Sequence, residues 1–496
     1  MARNIPDHPP KEHRLPMLRP LGKSEQLSSV SHALGFFKNV GMSAHYTLST
    51  RSTTQPPDLQ SLVYAAVADV IRKHVILSAI PINEASPEAY FARLEVIDLA
   101  KCVVWKTRIG CATRGEQEED GELDAMLEGQ HNVDFKTDYG DVPFWRLIIL
   151  QDAGTELSFT ASFIFHHSLG DGATGSIFHS SFLQGLNTAI SLPCLDTHSN
   201  TRIPVNPTVQ LLAPLEHLHP LPINPNPHSH RADNASELKE WFGNPIHTPL
   251  KTHYKTLFLS PATTATFAKK CKDNGVSVTS GLTAILADAL FNALPDTVEA
   301  LTGIVPINLR PWLDLPATEA DGAMGSFIDA MKVHVRREEC GEGGGGGGDA
   351  KGMMSGLRAA QYTSEEIKRY LANASPTGEP YTSIAPFKLI PDVATVFTSL
   401  VGTKRDAAFE ISNLGRFHDP SAHDLRHGDD AAHWRIGRMV FSRSAVVFGA
   451  AVTTSVITGA DGGLSVGFCW QDGVVERSVV EQVVKVCREG VEGCGF

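Results

Sequence analysis

Apolar positions along the chain repeat with two different periods. Over residues 58–76, Leu59, Leu62, Val63, Ala66, Val67, Val70 and Ile71 recur at spacings of three and four, which predicts a helix with one apolar face. Pro56, Pro57 and Asp58 supply a start signal. A second helix is expected from about Ser277, with a stripe of Leu282, Ile285, Leu286, Ala289 and Leu290, and a third over residues 475–487. Elsewhere the period is two. ELSFTASFIF (156–165) alternates apolar with small polar side chains, and VPFWRLIIL (142–150) reads as another strand. AVVFGAAVTTSVIT, a GADGG turn and LSVGFCW read as a hairpin. Helices and strands are mixed throughout, so the fold class is α/β.

Two stretches carry neither period. Residues 194–251 are rich in Pro, His and Asn, as expected of a long connection between two halves. The expected division is therefore 1–193, a crossover over 194–251, and 252–496. GEGGGGGGD at 341–349 favours no single conformation and reads as a flexible surface insertion in the second half.

The 496 residues are 42% hydrophobic and 20% charged, an ordinary globular balance for two large halves. A formal charge of -12 argues against nucleic acid or an anionic membrane as the main partner. The eight cysteines are scattered with no CxxC pair, so neither a zinc site nor a disulfide framework is expected. Residues 1–20 are polar and Pro-rich, unlike a secretory signal, and no apolar run reaches about 18 residues. A cytoplasmic monomer without metal is the expectation.

The chemistry concentrates in HHSLGDGATG, His166 to Gly175. Gly170-x-Gly172-x-x-Gly175 matches a dinucleotide fingerprint, and Asp196 stands where an acidic ribose ligand would be sought. Against a nicotinamide site, HHSL interrupts the approach to the first glycine, and Asp196 lies beside a proline in a polar stretch. The histidines offer another reading. By strand parity, His167 continues the apolar face of Leu157, Phe159, Ala161, Phe163 and Phe165, while His166 points the other way. If the strand holds that far, burial keeps the His167 imidazole neutral and able to take a proton from a hydroxyl or thiol. Asp171 has two open roles: orienting the imidazole as a triad carboxylate does, or capping the next helix while pairing with an arginine. Gly172 permits an unusual backbone angle. The one GxSxG, Gly463 to Gly467, falls within the expected hairpin and not at a strand-to-helix turn, so no nucleophile elbow is read, which disfavours a serine hydrolase.

HHSLGDG resembles the HHxxxDG motif of the chloramphenicol acetyltransferase-like superfamily. RPLGKSEQLSSVSHALGFFKNV (19–40), VPINLRPWL (305–313) and EISNLGRF (410–417) are similar to segments of its fungal alcohol acetyltransferase family, and the matches spread over most of the chain. The resemblance implies two similar α/β halves with mixed sheets and a tunnel between them. It implies transfer of acetyl from acetyl-CoA, as co-substrate, to a small-molecule alcohol, with no resident cofactor and no covalent intermediate. His167 becomes the general base, with His166 in support. Asp171 is expected to pair with Arg310, and Ser412 and Asn413 are candidates for holding the substrate or its oxyanion. Two departures stand out: Ser31 replaces an arginine of the family's opening Arg-His pair, and the plant branch's DFGWG is absent. A condensation-type enzyme with a carrier-bound donor, or a non-catalytic binding protein of this fold, are the competing readings.

Overall fold

In the computed structural model, residues 15–49, 58–109, 119–153, 157–191, 201–225, 238–340, 350–419 and 432–493 are described. Asp196 and the glycine run at 341–349 lie outside them, as do parts of the 194–251 connection.

Both sequence periods become structure. Asp58 caps the helix Leu59–Lys73 by accepting the Ser61 amide, and Ser277 does the same for Val278–Ala293 from Ser280. The C-terminal helix is Arg477–Glu492. The alternating stretches form Trp145–Asp152 and Ser158–Phe165, and the hairpin is Ala450–Thr458 against Leu464–Gln471.

The strands gather into two large mixed sheets. One has five strands in the order His433–Arg443, Val40–Ser49, Ser158–Phe165, Trp145–Asp152 and Val103–Arg108. The other has six: Thr252–Leu259, Leu464–Gln471, Ala450–Thr458, Ala407–Arg416, Ala300–Asn308 and Ile328–Arg336. Each sheet anchors its own apolar cluster. The strand His433–Arg443 comes late in the chain yet pairs with Val40–Ser49 in the first sheet, so the second part of the chain reaches back across the molecule.

The first sheet is two-faced, as period two requires. On one side, Phe163 stacks on Phe178 of the helix Gly172–Ile190 with ring centroids 3.9 Å apart, and Tyr46 bonds His179 at 2.8 Å. On the other, Ser43 and Ser162 bond each other at 2.7 Å.

The helix Gly121–His131 joins this lobe to the edge of the second sheet. Asp124, Glu128 and Asn132 accept the amides of Thr256, Tyr254 and Thr252. Four helical residues advance about 6 Å and two strand residues about 6.8 Å, so side chains four apart match amides two apart. The edge strand's outward amides are thereby satisfied. No single helix among the described residues is long and apolar enough to cross a membrane.

Candidate active site

The strand Ser158–Phe165 stops where its partners stop. Phe165 faces both Val40 and Trp145, the first residues of the neighbouring strands, and beyond it the His166 amide makes one further bond, to the Phe144 carbonyl at 2.9 Å. The chain then turns through a short 3-10 helix, His167–Leu169, with His166 as its cap. This corrects the parity expectation, which assumed strand geometry through residue 167. His166 is the fully buried ring, at 1% exposure, and His167 is partly exposed at the turn.

Within His167, Nδ1 is buried with no neighbouring hydrogen-bond partner, which leaves the Nε2 edge as the accessible one. Phe37 lies against the ring at 5.6 Å between centroids. Burial is the main influence on its titration and lowers the pKa below the ordinary 6.5; the residue's own backbone and Asp171 act the other way, Arg443 lowers it and Glu410 raises it. The ring is therefore neutral at pH 7.

Asp171 is committed elsewhere. Its two oxygens accept from Arg310 Nη1 and Nη2 at 2.8 and 3.0 Å, and also from the amides of Phe327 at 3.0 Å and Ala173 at 3.1 Å. Arg310 spends its remaining donors on the carbonyls of Ala323 and Gly325 and on Asn308 Oδ1. Both partners are almost completely buried. Of the two roles open to Asp171, the geometry is that of the helix cap and the arginine partner.

Gly172 is a helical residue without a left-handed backbone. Its conformational freedom is unused, contrary to expectation; what matters is proximity. A Cβ here would stand 2.9 Å from the Leu414 Cδ2 and 2.9 Å from the Phe441 Cζ, so any larger residue would have to push the ends of these two side chains back from the motif.

Parity on Ala407–Arg416 sorts the other candidates. Ile411 belongs to the second core, so Glu410, Ser412 and Leu414 take the opposite face, the one that reaches Gly172. Ser412 is thus on the His167 side and partly exposed. Asn413 points away: its Nδ2 donates to Thr279 Oγ1 at 3.1 Å and its Oδ1 accepts the Gly415 amide. Glu410 pairs with Arg443 at 2.6 Å. Sequence reading missed this pair, because an Arg and a Glu in separate strands carry no spacing signal. Cavities of about 30 and 200 Å³ share Arg438 as a wall, and His167 lines neither.

His166 belongs to a second buried group. His32 Nδ1 lies 2.8 Å from Glu84 Oε1, and His166 Nε2 lies 3.1 Å from the same oxygen. Neither His32 nor Glu84 was singled out from the sequence for this role; a Glu within INEAS looks like an exposed turn residue.

Comparison with known proteins places this arrangement. No protein-family model matches the chain. "Probable alcohol acetyltransferase crmB" of Aspergillus fumigatus is 46% identical over 470 residues, covering 95% of this chain and 97% of that protein. "Probable alcohol acetyltransferase FCK4" of Fusarium pseudograminearum is 21% identical, covering 94% and 93%. Among solved structures, TRI3 trichothecene 15-O-acetyltransferase from Fusarium sporotrichioides superposes with a TM-score of 0.68 at 11% identity, over 96% of this chain and 95% of that one. The first condensation domain of the CDA synthetase gives 0.58 at 12%, over 97% of each. These two likenesses speak for the two-lobed fold, and the 46% identity speaks for the family. With its motif at the junction of two mixed sheets, the chain belongs to the fungal alcohol acetyltransferase family, within the chloramphenicol acetyltransferase-like acyltransferases.

Proposed function

We infer that this acyltransferase moves acetyl from acetyl-CoA to an alcohol hydroxyl, with His167 as general base. The observation that carries the reading is the His167 ring itself: neutral, buried at Nδ1 and open at Nε2. A proton on Nδ1 leaves the Nε2 lone pair free for the alcohol O–H. The hydroxyl oxygen attacks the thioester carbonyl as its proton passes to Nε2. Collapse of the tetrahedral intermediate expels the CoA thiolate, which takes that proton back. No covalent acyl-enzyme is required.

The oxyanion needs a donor, and Ser412 is favoured over Asn413, whose amide is already bonded to Thr279. Asp171 and Arg310 act by holding the turn against the second sheet. A positioned base contributes about 10² to 10⁴-fold, and alignment of two substrates between the lobes contributes several kcal/mol more. On this reading the two substrates meet at His167 from opposite mouths of a tunnel, which also keeps water from the thioester.

The test is thiol release from acetyl-CoA with a panel of small, sterol-like and polyhydroxylated alcohols. Alcohol-dependent release with formation of the acetate ester is expected. Release only from a carrier-loaded donor would favour the condensation-type alternative, and none with either donor would overturn catalysis.

A further inference from the structure

His32, Glu84 and His166 place their ligating atoms within 4.8 Å of one another, a grouping that resembles a metal site. The hydrogen bonds argue otherwise. His32 Nε2 accepts the Phe135 amide at 3.1 Å, and His166 Nδ1 accepts the Ser168 amide at 3.0 Å. An amide N–H can only donate, so each of these nitrogens carries a lone pair. Neither ring is then an imidazolium, and the proton of each sits on the nitrogen that faces Glu84. Both inner nitrogens face one carboxylate, His32 Nδ1 in a hydrogen bond at 2.8 Å and His166 Nε2 at 3.1 Å outside hydrogen-bond geometry, so neither has a lone pair to offer a metal. Two backbone amides thus fix two opposite tautomers, Nδ1–H in His32 and Nε2–H in His166.

The three residues come from three places. His32 lies in the last turn of the helix Lys23–Ala33. Glu84 follows Asn83, whose φ of +56° is in the left-handed region that few side chains other than Asn adopt. His166 caps the turn that begins with His167. All three are buried, at 1%, 8% and 1% exposure, and Phe135 and Phe144 wall them in. Burial would raise the Glu84 pKa, but the facing His166 and His32 rings hold it at about 2, and burial lowers His166 to about 4. Glu84 is therefore ionised and His166 neutral at pH 7.

We propose that Glu84 and His32 are positioning residues for the acyl transfer: through the His166 tautomer they keep its Nδ1 an acceptor for the Ser168 amide, and so hold the turn that presents His167. This rests on the reading of His167 as the base. A carboxylate suits the role because both of its oxygens face the His32 Nδ1–H, at 2.8 and 3.1 Å, and one of them also faces the His166 Nε2–H; either orientation of an amide would set its own N–H donors against a ring donor.

A double-mutant cycle tests it. Glu84→Gln should lower kcat about 10- to 100-fold with KM for either substrate changed little, the size expected when the partner of an oriented histidine is lost. In His166→Asn the amide oxygen can cap Ser168 without help from Glu84. Adding Glu84→Gln to that variant should then change kcat by less than about twofold. ¹⁵N spectra of histidine-labelled protein should show the two neutral tautomers, His32 and His166 being assigned by substitution, and Glu84→Gln should convert one of them. A Glu84→Gln enzyme with unchanged kcat, or effects that multiply fully in the double variant, would overturn the proposal. Should Glu84→Gln fail to fold, His32→Asn, which retains an amide donor near Nδ1, is compared with His32→Leu. The proposal requires the Asn variant to be the faster, and equal rates refute it. His167→Ala assayed alongside separates the two readings: activity there removes the base assignment, whereas independent effects at Glu84 and His166 remove the positioning.

Discussion

At the scale of single residues, the partners of Asp171 are structural. Its carboxylate is filled by one guanidinium and backbone amides, so none of its capacity is left for His167. Asp171→Asn leaves Arg310 buried without its counter-charge, and breaking a buried pair in this way costs about 3–5 kcal/mol. We expect a clear fall in melting temperature and, below that temperature, a loss of turnover far smaller than the roughly 10⁴-fold of a triad carboxylate. Intact stability with collapsed turnover would make Asp171 an orienting residue after all. The pairing of Asp171 with Arg310 was legible through the resemblance of HHSLGDG and VPINLRPWL to segments of the family. His32 and Glu84 were not, because their role comes from long-range packing; nor was the end of the strand at Phe165, which is decided by where Val40 and Trp145 begin.

At the scale of elements, the helix Gly121–His131 and the edge strand Thr252–Leu259 are joined by three side chains at a four-residue spacing. Asp124 is the costly member: burial raises its pKa to about 6, against partial compensation from Thr256. A carboxyl group whose folded pKa is raised favours the fold when protonated, and that contribution is lost as pH climbs through about 6. Asp124→Asn removes the charge but keeps an acceptor for the Thr256 amide. It should stabilise the protein at pH 8 by about 1–2 kcal/mol and have little effect at pH 4, as read from chemical denaturation at the two values. A destabilised variant at pH 8 would show that the ionised form is the better partner. The helix and strand periods were readable from the sequence, but this joint was not: it pairs side chains with backbone amides, which no side-chain pattern encodes.

At the scale of the molecule, buried histidines weaken the fold in acid. Burial lowers His74 to about 4, His131 to about 3, and His166 and His179 to about 4. Unfolded, each would take up a proton near the ordinary 6.5. The folded state therefore binds fewer protons between about pH 4 and 6.5, and its stability falls on acidification through that window. The melting temperature should drop steadily from pH 7 to pH 5; a flat profile would mean that these rings are already charged in the fold. The two-lobed architecture was legible from the ordered set of motifs along the chain, since each segment keeps its place relative to HHSLGDG. The return of His433–Arg443 to the first sheet was not, because strand partners far apart in sequence leave no local trace.

The imidazole of residue 167 is the group on which the proposed transfer depends, and the most direct measurement is the pH dependence of alcohol-driven CoA release in the wild type beside His167→Ala. The wild type should lose kcat/KM only below about pH 6.5, because burial holds the ring neutral above it. The folded alanine variant should turn over at least about 10²-fold more slowly at every pH. Near-normal turnover in that variant would contradict the mechanism.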